Sequence, residues 1–214
     1  MAEKLKATSQ EEITIITEKS ELNFDNVSSI NPDYIFFPHW SYIIPKNIYE
    51  NFNCVVFHMT DLPFGRGGSP LQNLIARGIK KTKISAIKVV GEIDAGPIYF
   101  KEDLELYGSA TEIFYRTAKT IFEKMIPSII ATQPEAKAQE GEIVTFARRT
   151  PDMSELKADM TLDEIYDYIR MLDAEGYPHA FIKMGKYRLE FTKAGYGYNE
   201  ISCNLTIREE DDNE

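Results

Sequence analysis

The apolar run Cys54-Val55-Val56-Phe57 ends on His58. A loop follows with Gly65, Gly67 and Gly68 around Arg66, and then the pair Ser69-Pro70. No other stretch constrains the fold as strongly. Consecutive apolar residues suit a strand covered on both faces, as in a parallel sheet. Ser69 is a helix-capping residue, and Pro70 suits the first helical position. Strand, glycine loop and helix together begin an α/β unit. A second predicted strand, 84–90, leads to a turn holding Asp94, Gly96 and Pro97. In open α/β sheets, ligands bind where strands end. A His at one strand end and an Asp just past another can meet there as an acid/base pair.

The remaining pattern agrees with that class. Residues 13–17 are β-branched throughout and predict a strand, and 34–37 predict another. A short helix over 25–30 closes at Asn31-Pro32. Residues 98–106 read as a strand. Ser109 and Glu112 make a capping box for a long helix with Phe114, Ala118, Ile121, Phe122 and Met125 on its inner face; Pro127 interrupts it. After a polar connector, 135–142, comes a short strand over 143–147. Thr161 and Glu164 cap a second helix, and strands over 180–184 and 187–193 follow. The acidic tail, 208–214, reads as disordered. The expected architecture is a Rossmann-like, mostly parallel sheet with helices on both faces, followed by a small C-terminal α+β extension. The boundary is placed at 150, giving segments 1–150 and 151–214.

Composition narrows the function. The chain has 214 residues, enough for one domain with an appendage, and a formal net charge of −10. A surface of that sign repels phosphate backbones, so no nucleic-acid partner is expected. Two cysteines, Cys54 and Cys203, make neither a disulfide framework nor a metal-ligand spacing, and no metal is expected. No long apolar run and no leader pattern are seen, which points to a cytoplasmic protein with no membrane partner.

Each candidate residue also has an ordinary explanation. His58 is either a satisfied core or surface residue or a catalyst. Asp94 sits in Asp-Ala-Gly-Pro, which is good turn chemistry in its own right. Arg66, Gly67 and Gly68 before a helix start suggest an anion site or simply a tight connection. Their spacing matches neither a phosphate loop nor a dinucleotide fingerprint. Trp40, the only Trp, either stacks on a planar ligand or plugs the core. Arg148 and Arg149 read as a solvated pair.

Three stretches carry a family resemblance: Phe57 to Pro63 (FHMTDLP), Arg66 to Gln72 (RGGSPLQ) and Ile93 to Ile98 (IDAGPI). They resemble the formyltransferases that use formyl-tetrahydrofolate. Tyr42-Ile43-Ile44-Pro45 is similar to the family's pterin loop. Arg148-Arg149-Thr150-Pro151, Ile169-Arg170 and Tyr177 to Phe181 are similar to the region that follows the catalytic domain in amino-sugar N-formyltransferases. The resemblance spans residues 30–193 and makes 1–150 the formyltransferase catalytic domain, with a shortened N-terminus. One departure stands out: the family carries Asn two residues before the His, where this chain has Val56.

The resemblance implies formyl-tetrahydrofolate as co-substrate. It makes His58 and Asp94 catalytic, and His39, Trp40, Ser41, Ile43, Ile93 and Asp94 the cofactor contacts. Arg66, Gly67, Gly68, Arg148, Arg149 and Tyr166 become acceptor contacts. The subgroup of pseudaminic acid-type pathways is the nearest match, so the expected acceptor is the primary amine of a UDP-linked 4-amino sugar. A homodimer is compatible with this reading. The alternatives are methionyl-tRNA or glycinamide-ribonucleotide formylation, deformylation, and a non-catalytic folate-binding module. The net charge and the short C-terminal region argue against the tRNA enzyme.

Overall fold

A computed structural model describes residues 1–210 of the chain. Seven α-helices are present among them: α1 (Ala2–Thr8), α2 (Phe24–Ile30), α3 (Lys46–Tyr49), α4 (Pro70–Ile75), α5 (Ala110–Thr120), α6 (Ile126–Thr132) and α7 (Leu162–Met171). Nine strands accompany them: β1 (Ile35–Phe37), β2 (Cys54–His58), β3 (Phe64–Gly67), β4 (Lys81–Lys88), β5 (Ile98–Glu105), β6 (Val144–Phe146), β7 (Ala180–Met184), β8 (Tyr187–Gly197) and β9 (Glu200–Glu209). They form sheets in the orders β1-β2-β4-β5, β3-β6 and β7-β8-β9. β2 runs parallel to β1 and antiparallel to β4, with His58 opposite Ser85.

The chain divides into two compact units. The first comprises 1–67, 83–104 and 116–145; the second comprises 68–82, 105–115 and 146–214. In the first, Leu22, Val27, Phe37, Ile44, Ile48 and Cys54 form a buried cluster. Trp40 and Val56 pack against it. Each fully buried Leu, Ile or Val contributes about 1.5–3 kcal/mol. Asn31 ends α2 in the left-handed conformation (φ 49°), as a helix C-cap requires. Cys54 is buried, and burial pushes its thiol from 9.0 up to about 12. Only the thiolate is nucleophilic. At pH 8 a thiol reagent should therefore titrate exposed Cys203 alone in the native protein, and both cysteines after unfolding.

The second unit is held by α7 and the β7-β8-β9 sheet. Thr161 and Glu164 make a complete capping box for α7. Arg170 is buried; it donates to Asp167 Oδ1 at 2.6 Å and to the carbonyls of Leu106 and Gly108 at 2.6 and 2.9 Å. One carboxylate and two carbonyls thus offset the desolvation of the buried guanidinium.

Several expectations are corrected. Residues 13–17 form no strand and join no ladder among the described residues. The glycine loop is partly a strand, β3, paired with β6. The long helix continues past 120 through a single π-turn, 121–125, into α6, where Pro127 occupies the first turn. Of the tail, 208–209 close strand β9, while 211–214 lie outside the described residues.

Candidate active site

His58 closes β2, and its side chain is nearly buried. Ring atom Nε2 lies 2.7 Å from the carbonyl oxygen of Gly65. A carbonyl only accepts, so Nε2 carries the hydrogen and donates it. The same oxygen accepts from Thr60 Oγ1 at 3.3 Å. Thr60 is held in turn by Ser85 Oγ, which donates to its carbonyl at 2.7 Å. Gly65 has φ 82°, a conformation that glycine adopts without steric cost.

The ring's other nitrogen, Nδ1, faces Asp94 Oδ2 at 3.5 Å. That oxygen accepts the backbone N–H of Gly67 at 2.9 Å. In the neutral ring Nδ1 holds a lone pair beside a carboxylate. A proton arriving there makes an imidazolium that Asp94 stabilises. The geometry therefore singles out Nδ1 as the proton-accepting atom. Asp94 itself is left-handed (φ 53°), a conformation of higher energy for a non-glycine residue that its partners must maintain.

Val56 shares the His58 face of β2, two residues earlier on the strand. It packs on the apolar cluster and supplies no hydrogen-bond donor. Of the expected cofactor contacts, Ile43 is 89% exposed and Ile93 is 72% exposed. Trp40 packs edge-on against Phe37 and Tyr42, at 6.0 and 5.4 Å between ring centres. Its Nε1 is buried without a hydrogen-bond partner. His39 and Ser41 lie at the surface beside it.

The expected acceptor contacts fall into two groups. Arg66 and Gly67 join His58 and Asp94 in the first unit. Gly68, Arg148, Arg149 and Tyr166 lie in the second. There a Cβ on Gly68 would meet the Arg148 Cα at 2.7 Å, so only glycine allows that approach. Arg149 donates its backbone N–H to Ser69 Oγ at 3.1 Å and its guanidinium to the Met153 carbonyl, over the Tyr168 ring. Its Nε is buried without a partner. Tyr166 lies against the Tyr196 ring and beneath the Arg170 guanidinium.

Sequence reasoning missed two participants, the Gly65 carbonyl and Gln139. Gln139 sits in the polar connector, with no local pattern to mark it. Among the described residues, no group of three or more His, Cys, Asp or Glu is placed to hold a metal ion. Nor is any helix long and apolar enough to cross a membrane.

Residues 4–127 match the family model described as formyl transferase. The chain therefore belongs to the formyl transferase family, whose fold is the α/β architecture expected from the sequence. Residues 151–208 match a second model, described as methionyl-tRNA formyltransferase, C-terminal domain. The solved structure of a methionyl-tRNA formyltransferase from Clostridium thermocellum superposes with a TM-score of 0.95 at 62% identity, covering 97% of this chain and 92% of that one. A methionyl-tRNA formyltransferase from Bacillus cytotoxicus is 30% identical over 166 residues, 74% of this chain and 52% of that protein. The chain thus spans about half the length of the curated relatives it matches. A 4-N formyltransferase from Francisella tularensis shares the fold at 19% identity, with a TM-score of 0.61.

These likenesses overturn the expected acceptor, a UDP-linked amino sugar of pseudaminic acid-type pathways. They also overturn the exclusion of a nucleic-acid partner. Two arguments failed. Net charge averages over all faces, whereas a nucleic acid meets one. The C-terminal region held to be too short for the tRNA enzyme is itself the segment matching that enzyme's C-terminal model. The resemblance that suggested a sugar acceptor, carried by Phe57 to Ile75 and by Arg148 to Pro151, Ile169-Arg170 and Tyr177 to Phe181, did not identify the amine.

Proposed function

We propose that this protein transfers the formyl group of formyl-tetrahydrofolate to the α-amine of methionine on initiator tRNA, in the cytoplasm. The likeness that carries this reading is the 62%-identical methionyl-tRNA formyltransferase, matched over 92% of its length. The His58–Asp94 arrangement supports it chemically.

The amine attacks the formyl carbon. The carbonyl π electrons move onto oxygen, giving a tetrahedral oxyanion and an ammonium nitrogen. Nδ1 of His58 takes one ammonium proton, and Asp94 balances the resulting imidazolium. Collapse of the oxyanion re-forms the carbonyl and expels the folate nitrogen, which receives the proton from His58. Products are the formylated amine and tetrahydrofolate. A formyl carbonyl poised between the amine and this pair needs a donor for its oxygen, and one such donor is worth roughly 3 kcal/mol. With Val56 supplying none, that donor comes from a backbone N–H or from the imidazolium itself. The exposed apolar residues Ile43 and Ile93 are the proposed contacts for the pterin, together with His39, Trp40 and Ser41. Arg148 and Arg149 are the proposed phosphate contacts of the acceptor.

Purified protein supplied with formyl-tetrahydrofolate and methionyl initiator tRNA should give formylmethionyl-tRNA in a time- and enzyme-dependent manner. Arg148→Ala should raise KM for the tRNA with little change in kcat, since phosphate contacts act on binding. Turnover with free amino-sugar nucleotides and none with the charged tRNA would refute the proposal.

A further inference from the structure

Gln139 uses every polar atom of its side chain on the catalytic pair's surroundings. Its Nε2 donates to the carbonyls of Asp94 (2.7 Å) and Gly96 (2.9 Å). Its Oε1 accepts from Arg66 Nε (3.1 Å) and Nη2 (2.8 Å). An amide has two N–H donors and two acceptor lone pairs, so the inventory is complete. Arg66 precedes Gly67, whose N–H binds the Asp94 carboxylate. One side chain thus ties the main chain of the Asp94 turn to the strand that grips the Asp94 side chain.

The placement follows from backbone pairing. Ile98 and Lys137 form an isolated antiparallel bridge, with N–H to O distances of 2.7 and 2.9 Å in the two directions. Extending that register by two residues on each strand puts Gln139 opposite Gly96. Its amide then reaches the carbonyls of the turn. Asp94 is left-handed, and such a conformation persists only where the surroundings over-determine it. The Gly67 N–H fixes the carboxylate end, and Gln139 fixes the peptide end.

We infer that Gln139 is a positioning residue for Asp94, acting through the turn carbonyls, with Arg66 as its anchor. The inference rests on the proposed formyl-transfer reading for its catalytic consequence, but not for its structural one. Gln139→Glu is the informative variant. It keeps the size of the side chain and gives Arg66 a stronger partner, while removing both donors to the turn and placing a negative oxygen against two carbonyls. Gln139→Met removes both ends of the clamp at similar volume.

Two readouts separate position from folding. The first is hydrogen exchange of the Gly67 amide in the absence of substrate. The second is kcat against KM for formyl-tetrahydrofolate and acceptor. In Gln139→Glu the Gly67 amide should lose protection, and kcat should fall by up to about 10²-fold, the effect of a misplacement near 1 Å. Gln139→Met should behave likewise, and the strand amides of β2 should keep their protection in both variants. Wild-type protection at Gly67 and wild-type kcat in Gln139→Glu would overturn the inference. If the wild-type protein formylates no acceptor, the functional reading falls while the exchange experiment still decides the role of Gln139.

Discussion

Asp94→Asn should lower kcat/KM for formyl transfer by about 10²–10⁴-fold, the range that a positioned acid/base group contributes, with the fold retained. The argument turns on which atoms of His58 are already engaged. Nε2 donates to Gly65 O, so Nδ1, 3.5 Å from Asp94 Oδ2, is the nitrogen left for the proposed proton transfer. Asparagine is nearly the same size, and its oxygen can still accept the Gly67 N–H. That oxygen is also the atom that faces Nδ1, now without a full negative charge. The substitution therefore removes the charge that stabilises the imidazolium. His58→Ala should lose activity to a similar degree, because it deletes the proton acceptor that Asp94 supports. The two losses should not add in the double variant, since the residues work as one unit. Steady-state kinetics of the two single variants and the double variant, with circular dichroism to confirm folding, are the check. Wild-type turnover in either single variant would remove the pair from the mechanism.

The pair was legible because it rests on local patterns. An apolar run predicts β2 and puts His58 at its end, and Asp-Ala-Gly-Pro predicts the turn that holds Asp94. The caps were legible for the same reason: Ser109 with Glu112 and Thr161 with Glu164 meet as their three-residue spacing requires. What was hidden depends on chain segments far apart in sequence. Gln139 acts 45 residues from Asp94, through a register set by the Ile98–Lys137 bridge. Glycines at 65, 67 and 68 suggest a loop, yet 64–67 are a strand because β6 arrives to pair with them. Residues 13–17 have every intrinsic preference for a strand yet join no ladder among the described residues, which shows that propensity alone does not make a strand. The acceptor was hidden for a chemical reason. One His, one Asp and a folate loop serve any primary amine, so the motif identifies the group transferred and not its destination.

Gly96→Ala should damage the site more broadly, by moving the turn rather than changing its chemistry. A Cβ at this position would stand 1.7 Å from the carbonyl oxygen of Lys88 and 2.9 Å from its carbon. Both obstacles are backbone at the end of β4, so no side chain can swing away. The neighbouring Lys88 N–H donates to Pro97 O at 2.9 Å, which holds the turn and the strand end together and leaves no slack. Relief requires the turn to lift off β4. Lifting breaks the Lys88–Pro97 bond and draws the Gly96 carbonyl away from Gln139, 2.9 Å distant in the native arrangement. Asp94, two residues before, moves with it. Overpacking of this kind costs about 1–3 kcal/mol. For a chain of this size each kcal/mol lowers Tm by about 2–4 °C. The activity loss should exceed what that destabilisation explains, because at an assay temperature well below Tm the protein is still folded while Asp94 is displaced from His58. Melting curves and kinetics on the same preparation test this. A variant with lowered Tm and full kcat would mean that the turn tolerates displacement and that the position of Asp94 is set by the Gly67 N–H alone.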